Sequence, residues 1–161
     1  MQGADVIYCL TGGNTHISLY LLTMLVVAAI VAAVSVVQPL NWFAGWAMVF
    51  AAFLTGAMIG LGFHREDFLG GYTSFRRRML RLGHVALAAL GMMNVVFALS
   101  PWPVAGTTAA WGASVCFLGG GISMPVICFL AAWRKPLRHL FILPVSMLIA
   151  AVMFTLAGGP T

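Results

Sequence analysis

Hydrophobic positions run through the chain in five long blocks, separated by short stretches that contain polar residues, glycine or proline. Each block has an apolar core of about 20 residues, the length that an α-helix needs to cross roughly 30 Å of hydrocarbon. Backbone groups inside a bilayer must be hydrogen-bonded within the chain, and the sequence lacks the short alternating segments of a β-barrel, so the blocks are predicted to be helices. The predicted spans cover about residues 17–37, 42–63, 74–99, 108–133 and 137–156.

Composition supports the same class of protein. The 161 residues are 62% hydrophobic and only 7% charged, whereas a soluble domain carries about 25% charged residues. We therefore expect an all-α, polytopic integral membrane protein that consists of a single transmembrane domain. We also expect the N-terminal stretch to stay in the mature protein, because it has no basic residue ahead of a short apolar run.

The basic residues predict the orientation of the helices. All eight lie in two groups, one between the second and third blocks or in the first turns of the third, and one around the junction of the fourth and fifth. Alternating spans bring both groups to the same side, which the positive-inside rule makes cytoplasmic. The N-terminus is then expected inside and the C-terminus outside, in a bacterial inner membrane. The net charge of +5 follows from this orientation, so no nucleic-acid partner is expected, whereas anionic lipid at the cytoplasmic face is.

Several residues predict where helices begin, bend or end. Residues 38–41, Gln-Pro-Leu-Asn, are expected to form a turn between the first two spans. Ser74 is a candidate N-cap of the third span, because its hydroxyl can accept a bond from a free amide of the first turn. In the fourth span, the run of three glycines at 119–121 and Pro125 predict a kink or local unwinding. Pro144 predicts a similar bend in the fifth.

Small residues recur at helical spacing on the second and third spans. Ala52, Gly56 and Gly60 lead along one face of the second span towards His64, and Gly91 shares a face with His84 on the third. Small residues at this spacing let helices approach closely in lipid. We expect both glycine faces to lie at helix contacts, and an alternative is that they clear space for a flat cofactor.

The four histidines, at positions 16, 64, 84 and 139, all fall at the predicted cytoplasmic ends of spans. His64 and His84 lie on consecutive spans, and His84 is inside an apolar run, where an ionisable residue is a functional candidate. Two facing imidazoles are suited to hold a b-type haem, with Arg77 and Arg81 placed to pair with its propionates. One alternative is a metal ion held by His64, His84 and a third histidine. Another is a set of structural histidines bonded to backbone carbonyls or nearby carboxylates.

The functional expectation rests on what the sequence lacks. It contains no carboxylate inside a predicted span to relay protons, and no nucleophile–base pair. We therefore expect a non-catalytic membrane subunit of a larger bacterial complex, of the electron-transfer or respiratory kind, with other membrane subunits as partners. A haem b electron carrier is the first alternative. A small transporter built around the glycine-rich fourth span is the second.

Overall fold

The computed structural model describes the backbone of residues 4–160 and the side chains of residues 20–26 and 39–160. This part of the chain is helical, with no strand in it. Four α-helices and two short 3-10 helices follow one another along the chain: α1 Ala4–Phe63, 3-10 Phe68–Gly70, α2 Phe75–Leu99, α3 Thr108–Trp133, 3-10 Lys135–Phe141 and α4 Ile142–Ala157.

Four stretches are long and apolar enough to cross a membrane, as in a multi-pass membrane protein. They match the last four predicted spans to within three residues at each boundary. The predicted first span, residues 17–37, falls mostly on residues whose side chains lie outside the described set. A fifth crossing and the orientation of the termini therefore stay predictions. The four stretches are Pro39–Phe63, Phe75–Leu99, Thr108–Trp133 and Lys135–Ala157.

The predicted turn at residues 38–41 is wrong, because α1 stays helical through Pro39. Asn41, which the sequence analysis placed in that turn, is a helical residue with no exposed surface. Its side chain is hydrogen-bonded inside the bundle (below), so tertiary contacts outweigh the turn preference of the local sequence. The described part of α1 that packs in the bundle begins at this proline.

The predicted unwinding of the fourth span is also wrong, since α3 is an uninterrupted helix across its glycines and Pro125. The glycines serve packing instead. A Cβ on Gly120 would lie 2.7 Å from Leu148 of α4, and one on Gly121 would lie 2.9 Å from the amide nitrogen of Asn94 on α2. Glycine here lets two helices approach α3 at consecutive positions.

Pro144 needs no bend, because it occupies the first turn of α4, where no intrahelical donor is lost. The N-cap prediction is confirmed: the Ser74 hydroxyl accepts a hydrogen bond of 3.2 Å from the Arg77 amide. The start of α2 was therefore predicted correctly, whereas the helix end predicted at residues 38–41 was not.

The helices form a bundle with α3 at its centre. Helix α3 packs against α1, α2 and α4, whereas α4 packs against α3 and the 3-10 helix before it. Helices α1 and α2 run antiparallel, with Gly45 against Gly91 near one end and Phe63 beside Arg77 at the other. We call the end that holds residues 64–74 and Lys135–Phe141 the basic end, because all eight Lys and Arg residues lie in or beside these two connections.

Candidate functional site

His84 lies at the interface between α1 and α2 near the basic end, half-buried against Gly56. A Cβ added to Gly56 would lie only 2.7 Å from Cε1 of the imidazole, so glycine is what lets the ring pack directly on the α1 backbone. The space that the sequence analysis offered to a flat cofactor at Gly56 is thus filled by the imidazole of His84.

Thr55 contacts this ring through its hydroxyl. The hydroxyl lies 2.8 Å from the Ala51 carbonyl oxygen and 3.3 Å from Nδ1 of His84. A hydroxyl has one proton, and the shorter contact to the carbonyl takes it. The Thr55 oxygen is then placed to accept a hydrogen bond from Nδ1 of His84.

His64 does not face His84. It is exposed and follows the end of α1, where Phe63 lies beside Arg77 of α2. Arg77 precedes His84 by seven residues, which corresponds to about 10 Å along the α2 axis. Two imidazoles on one iron need nitrogens only about 4 Å apart, each bonded at about 2 Å. A shared haem would therefore require His64 to move towards His84, and the haem assignment stays a prediction.

Arg77 is buried against aromatic side chains rather than open to solvent. It is only 5% exposed, with its guanidinium carbon 4.0 Å from the centre of the Phe63 ring. Its Nη1 donates to the Glu66 carbonyl oxygen at 3.4 Å, and its Nε is buried without a hydrogen-bond partner among the described residues. Cation–π contacts of this kind are worth about 2 kcal/mol when desolvated. Arg77 thereby ties the connector at residues 64–74 to both helices that it joins.

Arg81, the second arginine predicted to pair with propionates, lies 4.7 Å from the centre of the Tyr72 ring. Arg77 reaches the same ring at 5.6 Å. The two arginines and Tyr72 therefore form one cluster over the connector. Whether they also pair with an anionic group stays a prediction.

A groove with a volume of about 300 Å³ opens beside this cluster, between α1, α2 and α3. One wall carries Phe68 and Leu69 of the connector, and the other ends at Trp133, the last residue of α3. Apart from Thr55, whose hydroxyl is already bonded, its lining is apolar. The lining residues are Thr55, Met58, Ile59, Phe68, Leu69, Leu80, Phe129 and Trp133.

The most buried polar cluster was missed by the sequence analysis. Asn41 of α1, Asn94 of α2 and Ser114 of α3 have no exposed surface. Nδ2 of Asn41 donates to Oδ1 of Asn94 at 2.8 Å, and the Ser114 hydroxyl donates to Oδ1 of Asn41. Nδ2 of Asn94 donates to the Leu90 and Phe117 carbonyl oxygens at 2.9 and 3.3 Å. We call these three residues the amide cluster. An asparagine within the apolar run of the third predicted span was a signal that could have found it.

The small-residue prediction holds for Gly56 and Gly91 and fails for Gly60. Gly91 lies at a close contact, where an added Cβ would be 2.8 Å from the Gly45 carbonyl oxygen. Around Gly60, by contrast, no described atom lies within 4 Å of an added Cβ. Gly60 is exposed because the drift of a four-residue repeat around an α-helix turns it away from α2.

Metal ligands do not cluster in the part of the chain whose side chains are described: no group of three or more His, Cys, Asp or Glu residues could hold an ion there. His139 is exposed on the 3-10 helix before α4. His16 falls outside the described side chains. The prediction of a metal bound by His64, His84 and a third histidine has no support from the described residues, and one that uses His16 stays a prediction.

Fold and site together define an all-helical protein of the multi-pass membrane class, with one end held by a buried amide cluster and the other carrying basic residues beside an apolar groove. Comparison of the chain with known protein families, with curated proteins and with solved structures finds no match.

Proposed function

We propose that this chain is a non-catalytic membrane subunit of a larger bacterial complex of the electron-transfer or respiratory kind. The observation that carries the proposal is the uneven burial of the helices. Helix α3 packs against α1, α2 and α4 and is the most buried of the four, whereas α1 and α4 leave most of their large apolar side chains uncovered. On α4 these include Ile142, Ile149 and Met153, and on α1 Phe53 and Leu61, each at least 60% exposed.

The polar interior supports a structural role. The amide cluster joins α1, α2 and α3 through hydrogen bonds that use its amide groups fully. Groups engaged in this way do not act as a proton relay or as a nucleophile. The continuous helix of α3 also removes the feature that favoured a transporter, a span broken at its glycines.

Site-specific photo-crosslinking in cells tests the subunit proposal. A photoreactive residue replaces Ile149, which points away from the bundle, and a control replaces Ala151, which is fully buried two residues later. The proposal expects position 149 to yield one adduct of defined mass that contains a second membrane protein, recovered in a fixed ratio from a detergent-purified complex. Position 151 should yield only internal crosslinks. Lipid adducts alone at position 149 and at Phe53 of α1 would overturn it.

A haem b electron carrier is the second candidate, and the bond between Thr55 and His84 favours it. Histidines that ligate metals usually donate their other ring N–H to an oxygen, and the Thr55 hydroxyl, 3.3 Å from Nδ1 of His84, is placed to accept such a bond. A reduced-minus-oxidised absorption spectrum of the purified chain is the test. If haem is bound through His84, His84→Ala should abolish the spectrum and His139→Ala should leave it. A chain purified from haem-replete cells without a haem band would reject this candidate.

A further inference from the structure

We propose that the groove at the basic end binds an anionic phospholipid, with one acyl chain along its apolar walls and the phosphate on the cations that follow Trp133. This inference does not depend on the subunit proposal. It concerns one site, whereas the general attraction of basic loops to an anionic membrane surface specifies no site.

The shape and lining of the groove fit a hydrocarbon chain. Its volume of about 300 Å³ lies at the lower end of the range for ligand sites. Its lining consists of side chains of Met58, Ile59 and Leu80 from the helices, together with Phe68 and Leu69 of the connector. An apolar groove on a membrane-spanning bundle faces lipid, so the hydrocarbon chain needs no path through water.

Charge complementarity identifies the headgroup. Trp133, which is 62% exposed, lines the groove and is followed directly by Arg134 and Lys135, both exposed. Within residues 20–26 and 39–160, the only ion pair joins Arg65 and Asp67, at 3.8 Å. Arg134 and Lys135 therefore have no carboxylate partner in this part of the chain. Two free cations at the mouth of an apolar groove complement a phosphate attached to an acyl chain.

The groove offers less to a quinone or another ligand whose head must be hydrogen-bonded inside. The Thr55 hydroxyl is already engaged by the Ala51 carbonyl and by His84, and the only other polar group in the lining is the indole N–H of Trp133. The exposed cations Arg134 and Lys135 follow Trp133 outside the lining, an arrangement that suits a lipid better than a ligand with a buried polar head.

Quenching of Trp133 fluorescence measures occupancy. The other four tryptophans, at positions 42, 46, 102 and 111, lie towards the opposite end of the bundle and are replaced by Phe. The protein is reconstituted in phosphatidylcholine vesicles in which about one lipid in ten is brominated on its acyl chains. The brominated lipid is either phosphatidylglycerol or phosphatidylcholine. A specific site predicts stronger quenching by the brominated phosphatidylglycerol. If the fourfold variant does not fold, the signal lost on Trp133→Phe in the native chain gives the same quantity.

Two pairs of variants separate the headgroup from the acyl chain. Arg134→Gln and Lys135→Gln should each weaken the preference for phosphatidylglycerol about fivefold, since each cation near an anionic lipid surface contributes about that factor. Ile59→Phe should fill the groove and reduce quenching, whereas Leu61→Phe, on the exposed face of the same helix, should not. Equal quenching by the two lipids in the parent protein would overturn the proposal. So would a preference that survives both glutamine variants, or quenching that Ile59→Phe leaves unchanged.

Discussion

Removing Asn94 should lower the stability of the bundle, because this side chain bonds to two other helices. Asn94→Ala breaks the 2.8 Å bond from Asn41 and the 3.3 Å bond to the Phe117 carbonyl. Hydrogen bonds between membrane helices average about 0.6 kcal/mol and reach about 1.7 kcal/mol. Losing both therefore costs about 1–3 kcal/mol, before any cost of the cavity.

A double-mutant cycle isolates the bond between the two amides. Asn41→Ala, Asn94→Ala and the double variant are unfolded in mixed micelles of mild detergent and dodecyl sulfate, and their free energies of unfolding are compared. We expect a coupling of about 0.6–1.7 kcal/mol, the range measured for such bonds. Ser146→Ala is the matched control, because the Ser146 hydroxyl donates only to the Leu143 carbonyl of its own exposed helix.

Two results would refute this reasoning about the amide cluster. A coupling near zero would mean that Asn41 and Asn94 are each satisfied independently of the other, by backbone carbonyls alone. A loss of stability in Ser146→Ala as large as that in Asn94→Ala would mean that the assay responds to any lost hydroxyl or amide. Either result would mean that the loss of stability in Asn94→Ala does not come from its hydrogen bond with Asn41.

Three further predictions concern packing, the connector and the orientation. Gly91→Leu should prevent assembly of the bundle, because the leucine side chain would collide with the α1 backbone, whereas Gly60→Leu should be tolerated. Thermal stability in detergent distinguishes the two variants, and equal tolerance would contradict the contact between Gly91 and Gly45. Arg77→Ala should release the connector at residues 64–74 to limited proteolysis, whereas the exposed Arg78→Ala should not, and equal protection of both would contradict the cation–π cluster. A reporter fused after Thr161 should be active in its periplasmic form, and cytoplasmic activity there would reject the predicted orientation.

The spans could be predicted from the sequence because one physical requirement dominates them. An apolar segment of about 20 residues in lipid must satisfy its own backbone, so helical structure follows from composition and length. The N-cap at Ser74 was equally accessible, since it depends on a few neighbouring residues. These features need no knowledge of how the helices pack.

The faces of the helices were less predictable. Gly56 and Gly60 belong to the same four-residue repeat, yet only Gly56 meets α2. Spacing gives a stripe, but the contact depends on the crossing angle, which the partner helix helps to determine. The prediction for the glycine run of α3 failed for a related reason. Flexibility was inferred from composition, whereas the neighbours Leu148 and Asn94 occupy the space that glycine leaves.

The structure places one residue of the candidate site, His84, at a helix interface and leaves the other, His64, exposed after the end of α1. His84 is held between helices, as its position in an apolar run indicated, but its partners are Thr55 and Gly56. The pairing with His64 assumed that residues near one connector lie at the same depth. In an antiparallel pair, depth depends instead on the number of residues from the connector. Phe63, directly before His64, lies level with Arg77, well before His84 is reached.

The two ends of the bundle differ in which side chains lie between the helices. At the end away from the connector, the amide cluster and the contact between Gly45 and Gly91 hold the helices together, and substitutions at these residues should change stability. At the basic end, aromatic rings and arginines hold the connector against the helices, and an open groove lies beside them. A ligand in that groove would gain apolar contacts without displacing a hydrogen bond of the amide cluster.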